Sequence, residues 1–143
     1  MAPINATIMM AGKPYELRFD IFALTAAHNV MKSLGFKRDN VWSLADVPYD
    51  LGEEITLFLH GVNGARRLAK ATKMMDSEEA QEIFQAHFEM LAEKTSEIED
   101  EQEAMTYFQR EQTQIMETLA EAVKQSIGFQ RKRAKGGSPT APV

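Results

Sequence analysis

The sequence predicts a mainly α-helical protein with a small N-terminal β-hairpin, an α+β chain of about four helices whose last members are long and acidic. Three observations predict this fold class. The first 19 residues read as two short strands joined by a turn, and apolar residues then recur at steps of three and four. Residues 65–127 contain neither glycine nor proline, which favours long helices.

The β-hairpin is predicted over residues 4–19. Residues 4–10 form an apolar run with β-branched members, residues 11–14 form a turn around Gly12, and residues 15–19 alternate between apolar and polar side chains. The edge of such a hairpin presents unpaired backbone groups, so we expect self-association there. The side chains expected at this self-association surface are Ile8, Met10, Tyr15 and Leu17.

The first helix is predicted to begin after Asp20, whose carboxylate can accept hydrogen bonds from the amides of the first helical turn. Gly35 is predicted to cap its end. The apolar stripe between these two caps consists of Phe22, Ala23, Ala26, Ala27, Val30, Met31 and Leu34.

The connector that follows, residues 36–52, is rich in turn-forming and aromatic residues. Val41, Trp42 and Leu44 are predicted to cover an edge of the hairpin–helix unit. Alternatively, Trp42, the only tryptophan of the chain, is an exposed anchor for a partner, because exposed tryptophans are favoured at binding hot spots.

A second helix is predicted from Glu53 or Glu54, and it contains an unusual pair of glycines, Gly61 and Gly64. Each glycine costs about 1 kcal/mol in a helix interior. The pair therefore either bends or breaks the helix or allows another element to approach closely. A nucleic-acid clamp of the KH type is a poor match, because the flanking strand–helix pattern is absent.

Residues 76–121 are strongly acidic, with fourteen Asp and Glu residues against Lys94 and Arg110 and a net charge of −12. This charge disfavours nucleic acid as a partner, since phosphates would be repelled. A nucleic-acid-binding adaptor that uses the cations of residues 66–70 and the basic C-terminal tail is the competing hypothesis, and it predicts salt-dependent DNA binding.

The acidic C-terminal helices are predicted over residues 76–127, with a start at Asp76, which has the spacing of a capping box with Glu79. Residues 93–103 are either the exposed middle of one long helix or a joint between two helices. The heptad-like seam Met105, Phe108, Gln112, Ile115, Leu119 and Ala122 packs either on the chain's own helices or on another copy.

Gly128 is predicted to end the last helix. Residues 1–128 then form a single domain, and residues 129–143 form a flexible tail that combines a basic run with glycine and proline. The residues expected to bind a partner are Trp42, Phe84, Phe88, Met105, Phe108, Ile115 and Leu119.

The residues give no sign of catalysis, so we expect neither an enzyme nor a cofactor. Cysteine is absent, and the three histidines, His28, His60 and His87, lie on different segments. We find no glycine-rich phosphate loop and no Ser/His/Asp constellation. No apolar stretch is long enough to span a bilayer and the N-terminus does not read as a signal peptide, so we expect no membrane association and a cytoplasmic location.

The opening of the chain resembles siphovirus-type phage tail assembly chaperones. The residues that carry the resemblance are the continuous run from Gly12 to Asp20, followed by Ala23-Leu24 and a helix that ends at Leu34-Gly35. The resemblance covers about the first quarter of the chain, continues more weakly through residues 57–67, and is one of layout rather than of catalytic motif.

This resemblance implies a protein that binds and solubilises the tape measure protein and promotes polymerisation of the tail tube protein around it. It further implies homo-oligomers, a frameshift-extended form of the same chain, and action in the host bacterial cytoplasm with release before the virion matures. The alternative function is a structural head–tail connector or tail completion protein that remains in the virion.

Overall fold

The structure, a computed structural model, describes the backbone of residues 5–136 and the side chains of residues 5–132. Within this range the chain forms one two-stranded antiparallel sheet and four α-helices, which confirms the predicted fold class. The elements are β1 (Ala6–Met10), β2 (Lys13–Leu17), α1 (Ile21–Ser33), a 3-10 turn (Val41–Ala45), α2 (Leu51–Leu68), α3 (Ser77–Ser96) and α4 (Glu101–Gly136).

The hairpin turns over two residues, Ala11 and Gly12, rather than over the four that the sequence predicted. Both have positive φ angles, 52° and 77°, as a type I′ hairpin turn requires. Because Met10 pairs with Lys13, the second strand begins at Lys13 and ends at Leu17 instead of covering residues 15–19.

Phe19 is buried just beyond the second strand, in the segment that leaves the sheet and crosses α2. The amide of Arg18 donates to the carbonyl of Gly61 at 2.9 Å, and a Cβ atom at Gly64 would lie 2.0 Å from the carbonyl oxygen of Arg18. The two glycines therefore admit a close approach, and α2 continues through both without a break.

Helix α1 has both of the predicted caps. The carboxylate of Asp20 accepts the amide of Ala23 at 2.8 Å. At the other end, Gly35 has a φ of 92°, and Gly35 and Phe36 donate back to carbonyls in the last helical turn. The buried face consists of Ala23, Leu24, Ala27 and Met31, so the prediction that Phe22 and Leu34 belong to the apolar stripe is wrong.

Residues 93–103 contain a joint between two helices and are not the middle of one long helix. Helix α3 ends at Ser96 and α4 begins at Glu101, and Met90 and Lys94 of α3 line a cleft together with Glu111 and Gln114 of α4. The two helices therefore form an antiparallel hairpin. The carboxylate of Asp76 accepts the amide of Glu79 at 2.8 Å, as a helix start at this position predicts.

Helix α4 does not end at Gly128, as the sequence predicted, but continues to Gly136. One exposed glycine costs only about 1 kcal/mol in a helix, and good helix formers follow shortly after Gly128, namely Gln130, Arg131 and Lys132. Residues 129–136 are therefore helical rather than part of a flexible tail, and residues 137–143 of that predicted tail lie outside the described residues.

The core lies between the inner face of the hairpin, α1, α2, the first half of α3 and the second half of α4. Four aromatic rings pack edge to face in a row. The distance between ring centres is 5.3 Å for Tyr15 and Phe58, 5.4 Å for Phe58 and Phe84, and 6.3 Å for Phe84 and Phe88. The hydroxyl of Ser126 in α4 donates to the carbonyl of Phe19, which ties the far end of the chain to its beginning.

Candidate partner-binding surfaces

Six of the eleven residues predicted at partner or self-association surfaces lie inside the core of the single chain. The sequence identified their faces as apolar, but an apolar face does not reveal whether the same chain or another one covers it. In this fold the chain covers them itself, so these side chains are not available to a partner. They are Ile8, Met10, Leu17, Phe84, Ile115 and Leu119.

The other five residues reach the surface to different extents. Trp42 is 44% exposed and Met105 is 55% exposed. Tyr15, Phe88 and Phe108 are half-buried. Trp42 therefore does not cover an edge of the hairpin–helix unit as predicted, whereas its neighbour Leu44 is fully buried and does fill the core.

The predicted seam on the last helix is divided between core and surface. Ile115, Leu119 and Ala122 are buried, whereas Met105 and Gln112 are exposed. The seam thus packs on the chain's own core only along its second half. Its first half lies on the part of α4 that extends beyond the core alongside the end of α3.

A shallow cleft of about 400 Å³ opens between this first half of α4 and the end of α3. Its apolar part is formed by Met105 and by the half-buried Phe108, and the other side chains that line it are uncharged. The residues that line it are Thr95, Ala104, Met105, Phe108, Gln109 and Gln112.

The sequence did not predict some of the most exposed apolar side chains. Phe22 is 74% exposed, Leu34 is 60% exposed and Met9 is 55% exposed. Phe22 precedes the buried Ala23 by one residue, which is about 100° around a helix, so a stricter helical spacing from Ala23 would have placed it outside. Met9 alternates with the buried Ile8 and Met10, as strand periodicity requires.

The connector that carries Trp42 is held by one buried ion pair. Nε of Arg38 lies 2.6 Å from Oε2 of Glu53, and the two side chains are 10% and 5% exposed. The guanidinium group of Arg38 also donates to three backbone carbonyls of the connector. These belong to Ser43 at 2.8 Å, Asp46 at 2.6 Å and Pro48 at 3.2 Å.

The ionisation of this cluster follows from its contacts. Burial pushes the pKa of Glu53 up, but the hydrogen bonds from Arg38 and from the amide of Asp50 outweigh it and leave the pKa below its usual value. Burial raises the pKa of Tyr49, whose hydroxyl donates to the carbonyl of Leu44 at 2.6 Å. The ion pair therefore stays charged at neutral pH and fixes the shape of the connector.

Charge is unevenly compensated along the chain. Among the described residues, the two ion pairs within 4 Å are Arg38 with Glu53 and Arg67 with Asp20, and both lie in the N-terminal half. None of the fourteen acidic residues between residues 76 and 121 takes part in either pair. The acidic segment therefore presents an uncompensated negative surface.

Two of the three histidines, His87 and His28, make hydrogen bonds within the fold. Nδ1 of His87 accepts the amide of Ala11 at 2.8 Å, and burial lowers the pKa of His87. Nε2 of His28 lies 2.9 Å from the carbonyl of Arg38. In the part of the chain that the structure describes, no three His, Asp or Glu side chains are grouped so that they could hold a metal ion.

Comparisons with protein-family models, with curated proteins and with solved structures found no match to this chain. Within residues 5–136, none of the helices combines the length and the apolar character that a membrane crossing needs. The class that the fold itself defines is a small helical protein with an N-terminal hairpin and exposed apolar side chains on a rigid connector and on a helical hairpin.

Proposed function

We propose that this chain is a phage tail assembly chaperone that binds and solubilises the tape measure protein, promotes polymerisation of the tail tube around it and is then released. The resemblance of residues 12–35 supports this proposal. Its activity is binding and not catalysis. The long apolar helices of a tape measure protein need an apolar surface to cover them during assembly, and the chain has side chains that can supply one.

The observation that carries the proposal is the number of large apolar side chains that the fold leaves exposed. Ten such residues are at least 38% exposed, and four of them fall between residues 34 and 51. They are not needed to build the core, so they are free to contact an apolar partner. The four are Leu34, Trp42, Val47 and Leu51.

The connector holds two of these side chains, Trp42 and Val47, in a fixed geometry, because Arg38 bonds to three of its carbonyls and to Glu53. A surface that is ordered before binding loses little conformational entropy on binding. Trp42 has the largest apolar surface of this group and is the proposed anchor for a partner helix. The acidic segment keeps the loaded complex soluble through its net negative charge.

The test is co-expression with the tape measure protein encoded beside this chain, followed by a pull-down. We expect the tape measure protein to be insoluble alone and soluble and bound in the presence of the chain. If it aggregates equally in both cultures and nothing is pulled down, the chaperone function is refuted.

The proposed anchor is tested with a matched pair of variants. Trp42→Ala removes an exposed side chain from the connector, whereas Leu68→Ala removes a similarly exposed one (55%) from the end of α2. We expect Trp42→Ala to lower recovery of the tape measure protein at least tenfold and Leu68→Ala to leave it unchanged. Equal effects of the two changes would remove Trp42 from the binding site.

A structural connector or tail completion protein is the competing function, because such proteins are also small and helical. The two functions differ in the composition of the finished particle. Mass spectrometry of purified virions should find almost none of this chain if it is a chaperone, and a fixed copy number per particle if it is a connector.

A further inference from the structure

The end of the α3–α4 hairpin combines an apolar cleft with a dense negative rim. Residues 93–103, which we call the acidic tip, contain six carboxylates and one lysine, Lys94. All six carboxylate side chains are exposed. The cleft with Met105 and Phe108 lies directly beside them, between the end of α3 and the beginning of α4.

The chain supplies almost no positive charge to this surface. Apart from Lys94, the nearest cation in sequence is Arg110, and its guanidinium group lies over the ring of Tyr107 at 5.6 Å from the ring centre. Neither ion pair of the described residues involves the acidic tip. A partner for this surface must therefore carry positive charge together with an apolar group that enters the cleft.

The other end of α4 has this chemistry. Arg131 and Lys132 are exposed, and Phe129 beside them is half-buried. We call residues 129–132 the basic end, and the sequence adds Arg133 and Lys135 directly after it. Neither of the described ion pairs involves a residue of the basic end.

The two surfaces cannot meet within one chain. Met105 and Arg131 lie on the same continuous helix, 26 residues apart, which corresponds to about 40 Å at 1.5 Å per residue. A helix of this length does not fold back on itself. A contact between the acidic tip and the basic end must therefore be made between two molecules.

We infer that the acidic tip of one copy binds the basic end of α4 of a second copy, with the aromatic ring of Phe129 against the Met105–Phe108 cleft. Such a contact joins two different surfaces of the same protein. Head-to-tail contacts generate a ring if the rotation closes and an open helical filament if it does not. This inference concerns self-association and does not depend on the proposed chaperone function.

The experiment uses two charge-reversed variants of the full chain and sedimentation velocity in 50 mM NaCl. The tip variant carries Glu97→Lys, Glu101→Lys and Glu103→Lys, and the end variant carries Arg131→Glu and Lys132→Glu. All five side chains are exposed, so circular dichroism should show unchanged helix content. We expect the wild type to form oligomers, each variant alone to be a monomer, and an equimolar mixture of the two to associate again.

A matched control carries Glu78→Lys and Glu82→Lys, two exposed reversals at the opposite end of α3, and should oligomerise like the wild type. Raising the NaCl concentration to 500 mM should weaken wild-type association at least tenfold, because exposed charges are screened. The inference is overturned if the wild type is monomeric at 50 mM NaCl, if the variants still self-associate, or if their mixture stays monomeric.

Discussion

The close approach at Gly64 gives a prediction whose size can be worked out from distances. In the variant Gly64→Ala, the new Cβ atom would lie 2.0 Å from the carbonyl oxygen of Arg18, and its next neighbours are the carbonyl carbon of Arg18 at 3.2 Å and Cβ of Ala23 at 3.5 Å. The clashing oxygen belongs to the backbone, so it cannot move aside as a side chain can. The segment between β2 and α1 must instead move away from α2 by about 1 Å to restore a normal contact distance.

Three terms set the expected change in the free energy of unfolding. Overpacking of this kind costs about 1–3 kcal/mol. The displacement also weakens the hydrogen bond from Arg18 to Gly61, which is worth about 1 kcal/mol. Alanine is favoured over glycine in a helix by about 1 kcal/mol, which acts in the opposite direction. The net destabilisation is therefore about 2 kcal/mol.

Gly128 provides the matched control, because it is also a helical glycine but nothing lies within 4 Å of the position of its Cβ atom. Gly128→Ala should therefore stabilise the protein by about 0.5–1 kcal/mol through helix propensity alone. Both changes can be measured by urea unfolding followed by circular dichroism at 222 nm. If Gly64→Ala is as stable as the wild type or more so, the close approach does not exist as described.

Three further predictions concern buried ionisable groups, each measured by urea unfolding. Arg38→Ala leaves the charge of Glu53 buried without its partner and should cost about 3 kcal/mol at pH 7. His87 accepts a hydrogen bond from the amide of Ala11 only when its ring is neutral, and the pKa of His87 is lowered in the folded state. The wild type should therefore lose stability as the pH falls below about 6.5, and His87→Gln should lose less. Equal pH profiles of the two proteins would contradict this prediction. Burial raises the pKa of Glu54 from 4.5 to about 7, so Glu54→Gln should be more stable than the wild type at pH 8, by about 1 kcal/mol after allowing for partial solvation. This advantage should shrink as the pH falls from 7 and vanish only below about pH 4, where the carboxyl is protonated in both the folded and the unfolded state. No gain at pH 8 would contradict the prediction.

Local signals in the sequence were sufficient to predict where α1 and α3 begin, whereas α2 begins at Leu51, two residues before the predicted start at Glu53. Asp20 and Asp76 both accept an amide three residues ahead, as their sequence context indicates. Gly12 and Gly35 both have positive φ angles, Gly12 in the hairpin turn and Gly35 at the end of α1. These features depend on chemistry within four or five residues, so the sequence displays them directly.

Features that depend on distant contacts were not predictable in the same way. Gly61 and Gly64 signalled a close approach, but only the structure shows that the approaching element is the segment after β2. Whether Leu119 or Met105 is covered depends on how far α4 extends beyond the core. Gly128 resembled a helix end because glycine is the residue that most commonly follows one, and the helix formers beyond it do not by themselves show that the helix continues.

The bond between the hydroxyl of Ser126 and the carbonyl of Phe19 joins positions 107 residues apart. A helix that follows the hairpin by more than 80 residues therefore helps to close the core beside the end of β2. The hairpin alone is too small to be stable, and it is packed by α2 against β2 and by α4 against β1. Contacts of such long sequence separation slow folding, so this fold should be completed only after α4 has been synthesised. A chain shortened before residue 115 should remain unfolded, although it retains the hairpin and three of the four helices.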